Sequence, residues 1–105
     1  MDKILEIFEE LKMEIRYINT KEHLKVPYAI YHRLKDTKIF ADDKIYCKGF
    51  NVNVEIYFSD LEKEREFEEK LERKLEENRF GFIKSEDITI NEEVYLINYE
   101  IGGIE

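Results

Sequence analysis

The sequence predicts an α+β domain: an antiparallel mixed-order sheet of about four strands packed against two helices, in the order α-β-β-β-α-β. Three observations lead there. Residues 51–58 alternate strictly between apolar and polar side chains, the period of a strand with one buried face. Residues 2–13 repeat apolar groups at three- and four-residue spacing, the period of a helix. A second helical pattern, rich in Glu, Lys and Arg, begins just after the alternating strand. The 105 residues carry this texture throughout, which fits a single domain over 1–105.

The first helix runs from Asp2 to about Met13. Ile4, Ile7, Phe8, Leu11 and Ile15 form its apolar stripe, and Asp2 is placed to cap it. The stripe is a core face; docking on another chain is the other use of such a face. A polar connector follows, and Pro27 opens a strand over Tyr28 to Leu34. Tyr28, Ile30, His32 and Leu34 share one face and Ala29, Tyr31 and Arg33 the other, so both faces are expected to be partly covered.

Lys35 to Lys44 reads as a polar loop around an isolated Ile39-Phe40 pair. Such a pair either tucks back over the sheet or forms a contact patch for a neighbouring subunit. A short strand, Ile45 to Lys48, comes next, and Gly49 is expected to supply a turn or bulge. In the strand Asn51 to Phe58, the Val52, Val54, Ile56 and Phe58 row needs a helix over it.

Ser59 and Glu62 have the spacing of a capping box for the second helix. That helix extends to about Asn78 with a narrow stripe of Leu61, Phe67, Leu71 and Leu75, and Asn78 and Gly81 are expected to end it. Its Glu66–Lys70 and Glu69–Arg73 pairs each add a few tenths of a kcal/mol, and its charges form a solvated face. Phe80, Phe82 and Ile83 then return to the core. Ile88 to Ile90 and Val94 to Ile101 read as extended, the latter with an apolar face of Tyr95, Ile97, Tyr99 and Ile101, and Gly102-Gly103 lets the tail fray.

Net charge is −8, which argues against a partner recognised by phosphate neutralisation, whether nucleic acid or an anionic membrane surface. The single cysteine, Cys47, reads as a buried structural thiol. No apolar run suits a signal peptide or a membrane span, so folding in a reducing cytosol is the expectation.

Catalytic groups are scarce. His23 and His32 do not have the spacing of a ligand pair, and no Cys stands at a zinc-like interval from either. Of the two serines, Ser59 is accounted for by capping and Ser85 lies in a connector. Asp42, Asp43 and Glu55 are the acids to weigh as magnesium ligands of a nuclease, but no lysine follows Glu55 two positions on, and solvated loop acids explain them better. No catalytic, cofactor or metal residue is assigned.

The text Pro27-Tyr28, Phe40-Ala41-Asp42-Asp43-Lys44-Ile45-Tyr46 and Val54-Glu55-Ile56-Tyr57, followed by a Glu/Lys-rich helix and a closing EEVYLINYEI strand, resembles the tail terminator, or tail-completion, proteins of long-tailed bacteriophages and prophages. The likeness spans about Ile4 to Ile101. Phe58-Ser59 departs from the Tyr-Thr-Asp ending common in that family, a small change because serine and threonine cap helices alike. The resemblance implies an α+β subunit that forms a ring, generally a hexamer, at the head-proximal end of the tail tube. It would stop tube polymerisation and meet the head-completion protein, with no enzymatic activity and no cofactor. It also implies assembly in the host cytoplasm and residence in the virion tail, with DNA passing through the pore without specific binding and no membrane partner. Lys38, Ile39, Phe40, Asp42, Asp43 and Lys44 are the residues expected to contact a neighbouring subunit or the last tube ring. The rival readings are an acidic DNA-mimic inhibitor, some other small interaction module, and a metal nuclease.

Overall fold

The computed structural model describes residues 2–18, 25–33, 38–41 and 44–104. It is an α+β domain with two helices, α1 (Asp2–Glu10) and α2 (Leu61–Glu77). The strands are β1 (Ile15–Tyr17), β2 (Tyr28–Arg33), β3 (Lys38–Ala41), β4 (Lys44–Phe58), β5 (Gly81–Lys84), β6 (Ile88–Asn91) and β7 (Val94–Ile104). The main sheet runs β1-β2-β4-β7-β5, with β6 also on β7 and β3 on β4. It therefore has more strands than the four expected. It is also mixed: β1 lies parallel to β2, whereas the other pairs are antiparallel.

β4 organises the sheet. Its first residues pair with β3, and from Gly49 to Phe58 it pairs with β7. Gly49 thus sits in the ladder opposite Ile104 and makes neither turn nor bulge. The irregularity lies earlier, where Ile39 pairs with Cys47 and Phe40 with Ile45, leaving Tyr46 as the extra residue. Residues 38–41, expected within a loop, form the outer strand of this hairpin.

The Val52, Val54, Ile56 and Phe58 row is buried, and it lies beside Ile101, Tyr99, Ile97 and Tyr95 of β7. Ala29 of β2 extends the same face. Both helices cover it. α1 contributes Ile4, Ile7 and Phe8; α2 contributes Phe67, Leu71 and Leu75. Phe67 stands between Phe8 and Phe58, with ring centroids at 5.8 and 5.7 Å. Ile15, expected on the first helix, is instead in β1 and still packs against this core.

The helix ends explain why the sequence misplaces some boundaries. In α1, Lys12 has φ 58°, Lys12 N–H donates to the Glu9 carbonyl and Met13 N–H to the Phe8 carbonyl. In α2, Arg79 has φ 60°, Arg79 N–H donates to the Glu76 carbonyl and Phe80 N–H to the Leu75 carbonyl. Both are Schellman stops with a long cation where glycine is usual. Asn78 is the C-cap as expected, but Gly81 begins β5 and takes no part in the stop. At the other end Asp60, not Ser59, caps α2: its Oδ1 accepts from the Glu62 and Lys63 amides at 2.9 and 3.3 Å. β4 continues through Phe58, so the helix starts one residue later than a Ser59 cap requires.

β5 also corrects two expectations. Phe82 lies opposite Ile101 and packs on the core, so its neighbour Ile83 must face away, and it is 72% exposed. Gly102 and Gly103 do not fray. They pair with Asn51 and Phe50, and Gly103 lies under the edge-to-face rings of Phe50 and Phe80, 5.2 Å apart. A Cβ on Gly103 would stand 2.4 Å from Phe80 Cδ1 and 3.2 Å from Phe50 Cε1.

Two stability measurements follow from these positions. Arg79→Gly should raise the unfolding free energy by about 0.5–1 kcal/mol, because glycine removes the left-handed steric penalty at a small entropic cost. Gly103→Ala should lower it by about 1–3 kcal/mol through overpacking. Urea unfolding of the two variants checks both signs.

Candidate functional site

Two places merit attention: the β3–β4 hairpin singled out by sequence, and an acidic cluster that sequence reading missed. In the hairpin, Lys38, Ile39 and Phe40 lie on β3 and Lys44 begins β4. Asp42 and Asp43 lie outside the described residues. β3 pairs with Lys44–Lys48, beyond the part of β4 that β2 and β7 flank. At about 3.4 Å per residue the 15-residue β4 is about 50 Å long. The hairpin therefore continues past the end of the main sheet.

The other sequence candidates are tied into the fold. Glu55 accepts a hydrogen bond from the Tyr57 hydroxyl at 2.8 Å, and Tyr57 stacks on Tyr28 at 4.8 Å. Burial, with the Glu55 carboxylate alongside, pushes the Tyr57 phenol well above its ordinary range. His32 is half-buried on the same face, opposite Asn53, and His23 lies outside the described residues. Cys47 lies in the hairpin ladder opposite Ile39. Ser85 fixes a connector: its amide donates to the Asn98 carbonyl and its Oγ accepts from the Asn98 amide.

That connector helps to build the cluster. Lys84 pairs with Tyr99 and Ile88 with Leu96, so the three residues Ser85 to Asp87 run opposite only two, Ile97 and Asn98. The extra residue bends the edge, and Asp87 meets the side of α2. There, Glu64, Glu68 and Asp87 each offer a carboxylate oxygen within 4.8 Å of the others. Glu64 is 1% exposed and neither of its oxygens has a hydrogen-bond partner. The reason is positional: Glu64 stands three residues before Phe67 on the buried stripe of α2, where the pattern calls for an apolar group. Leu61, which the sequence places on that stripe, is 39% exposed.

Charges around the cluster are arranged asymmetrically. Lys84 Nζ lies 3.2 Å from Glu72 and 3.9 Å from Glu68. The Tyr99 hydroxyl donates to Glu68 at 3.5 Å. Burial pushes Glu64 up to about 7; the Asp87 carboxylate, with which the protonated acid can share its hydrogen, pushes the same way, then the Glu68 charge, against the weaker pull of Arg65. Burial also raises Glu68, opposed by Lys84. The Tyr99 phenol is raised chiefly by burial, then by the Glu68 charge. Elsewhere the helices are joined by Lys74 and Glu10 at 2.8 Å, and this hydrogen bond lowers the Glu10 pKa and raises that of Lys74. Sequence alone offered one clue to the cluster, the acid in the apolar row of α2. Asp87 became its neighbour only through the bulged edge.

Among the described residues no helix is long and apolar enough to cross a membrane. No protein-family model matches the chain, and no curated protein matches it significantly.

The raised Glu64 pKa has a stability consequence. The folded state holds this proton more tightly than the unfolded chain, so the group's contribution is most favourable below about pH 4.5 and is lost as pH rises through about 7. Above that, the buried charge costs on the order of 3 kcal/mol. Glu64→Gln should therefore gain stability over the parent between pH 5 and pH 8 by roughly 2–3 kcal/mol in metal-free buffer. Denaturant unfolding at the two pH values checks this, and a difference independent of pH would contradict it.

Proposed function

We propose that this chain is a non-enzymatic structural subunit of the phage tail-terminator type, which acts by docking to copies of itself and to a tail tube. The observation that carries this reading is the β3–β4 hairpin, an arm continued from the longest strand of the sheet. Strand β3 pairs with β4 along one edge, and among the described residues no strand pairs with its other edge. A free edge of this kind accepts a strand from a neighbouring molecule. The contact is heterologous, arm to body, and such a contact closes into a ring when its rotation permits. The reading gives Lys38, Ile39, Phe40, Asp42, Asp43 and Lys44 the role of subunit or tube contact. The tail tube protein and the head-completion protein are the other partners.

A ring of acidic subunits also suits passage of DNA. With a net charge of −8 per chain, carboxylates at the pore wall repel the phosphate backbone, so DNA slides through without adhering. The rigid one-sided core supports the arm: β4 is fixed by two helices on one face and by β2 and β7 at its edges.

The test is the double variant Ile39→Asp/Phe40→Asp in a tube assembly reaction. Tubes formed with the variant should overrun the length that the parent protein imposes, while circular dichroism shows the isolated subunit still folded and its unfolding free energy stays within about 0.5 kcal/mol of the parent. Tubes of normal length, seen by negative-stain microscopy, would show that the arm is not the contact.

A further inference from the structure

We propose that Glu64, Glu68 and Asp87 form a binding site for one hard divalent cation of calcium size, which clips helix α2 to the bulged β5–β6 edge. The site is built from two elements that share no sequence proximity: Glu64 and Glu68 one turn apart on α2, and Asp87 on the segment that joins β5 to β6. The proposal is independent of the ring reading, since it uses no residue of the arm.

Several observations converge on a cation. The three carboxylate oxygens lie within 4.8 Å of one another. Calcium tolerates irregular sets of oxygen donors at about 2.4 Å, whereas magnesium demands near-ideal octahedral geometry and dehydrates reluctantly, so three carboxylates drawn from two elements suit calcium better. Glu64 is 1% exposed with both oxygens unpartnered, and its oxygen is directed at the other two. A buried acceptor without a donor is costly; below about pH 7 a proton relieves Glu64, and above it a cation would satisfy all three carboxylates together. The donors are all carboxylate oxygen, with no imidazole or thiolate among them, a set that suits calcium, magnesium or manganese rather than zinc or copper.

The surroundings supply the rest of a coordination shell and a way in. A cleft of about 480 Å³ opens beside the cluster, bordered by Glu68, Asp87, Ser85 and Lys84. Solvent in it can fill the ligand positions that the protein leaves vacant. The Ser85–Asn98 hydrogen bonds hold the bulge, so Asp87 is positioned before any ion arrives. Lys84 is the competitor: its ammonium lies 3.9 Å from Glu68 and 3.2 Å from Glu72. It already neutralises part of the cluster, so affinity should be modest, with Kd on the order of 10⁻⁴ M. The Tyr99 hydroxyl donates to the same Glu68 oxygen that faces Lys84, so both contacts gather on one oxygen of that carboxylate.

Isothermal titration of the 105-residue chain with calcium chloride at pH 7.5, after chelator treatment and dialysis, tests the site. The expected result is one ion per chain, a weaker response to magnesium, and a higher unfolding midpoint as calcium is raised. Glu64→Gln and Asp87→Asn should each weaken binding at least about tenfold while the chains remain folded. Lys84→Met should tighten it, which a merely structural role of the acids does not predict. Glu92→Gln, in the exposed β6–β7 turn, should leave it unchanged. Absence of heat and of any midpoint shift up to about 10 mM calcium, far above the expected Kd, would overturn the proposal. So would binding that survives Glu64→Gln unaltered, because the ion would then sit on surface acids elsewhere.

Discussion

The row Val52, Val54, Ile56 and Phe58 is the constraint from which the rest of this structure follows. Period-two alternation puts four apolar groups on one face of β4, and that face has to leave water. β2 and β7 flank it and add Ala29, Ile97, Tyr99 and Ile101, so the dry surface is as wide as the sheet's centre. A surface of this width needs two helices, and the chain supplies one from each side of the sheet in sequence. α1 precedes the strands and α2 follows β4 directly, and Phe67 bridges them between Phe8 and Phe58. The opposite face is of a different kind. Tyr28, Tyr57, Glu55, Asn53 and Asn98 form stacks and hydrogen bonds in the plane of the sheet, and both helices lie on the other side.

Much of this was legible because it rests on local period. The two helices, the alternating strand, and the apolar face of β7 can be read directly from residue spacing. What could not be read depends on contacts between distant segments. Ile15 continues the helical spacing of α1, yet it belongs to β1, because Lys12 turns the chain and the β2 edge offers a parallel partner. Neither Schellman stop carries a glycine, so apart from Asn78 the residues give little sign of where the helices end. Glycines that looked like breaks, at 49, 102 and 103, are ladder residues. Gly103 is there because two aromatic rings occupy the space a side chain would need. The Ile39-Phe40 pair was legible as unusual, but the strand it belongs to was hidden by its lysines and aspartates.

Glu64 is the instructive misreading. Residue spacing runs the α2 stripe through Leu61 and merges Glu64 with a run of solvated acids. In the fold the stripe passes through Glu64, and Leu61 is left at the surface. A rotation that buried Leu61 in its place would displace Phe67, Leu71 and Leu75, which fix the helix's orientation over about two turns. The acid is thus held in place chiefly by its neighbours' packing. Where local consistency fails in an otherwise well-patterned helix, function is a more economical explanation than accident.

The two sites can be probed separately because β4 keeps them apart. The cleft by the acidic cluster reaches Ile97, whose partner on β4 is Ile56. The arm leaves the main sheet at Gly49, seven residues away, which is about 24 Å along a strand. Residues this far apart with no shared contacts make nearly additive contributions to stability. Under the two proposals, loss of cation binding should therefore leave arm-mediated assembly standing on its own, and loss of assembly should leave the cation site able to fill. A single substitution that removed both would mean that α2 and the arm move together, which would require β4 to transmit a change along its length. With both edges paired from Val52 to Tyr57 and its apolar row locked under two helices, β4 is poorly suited to that.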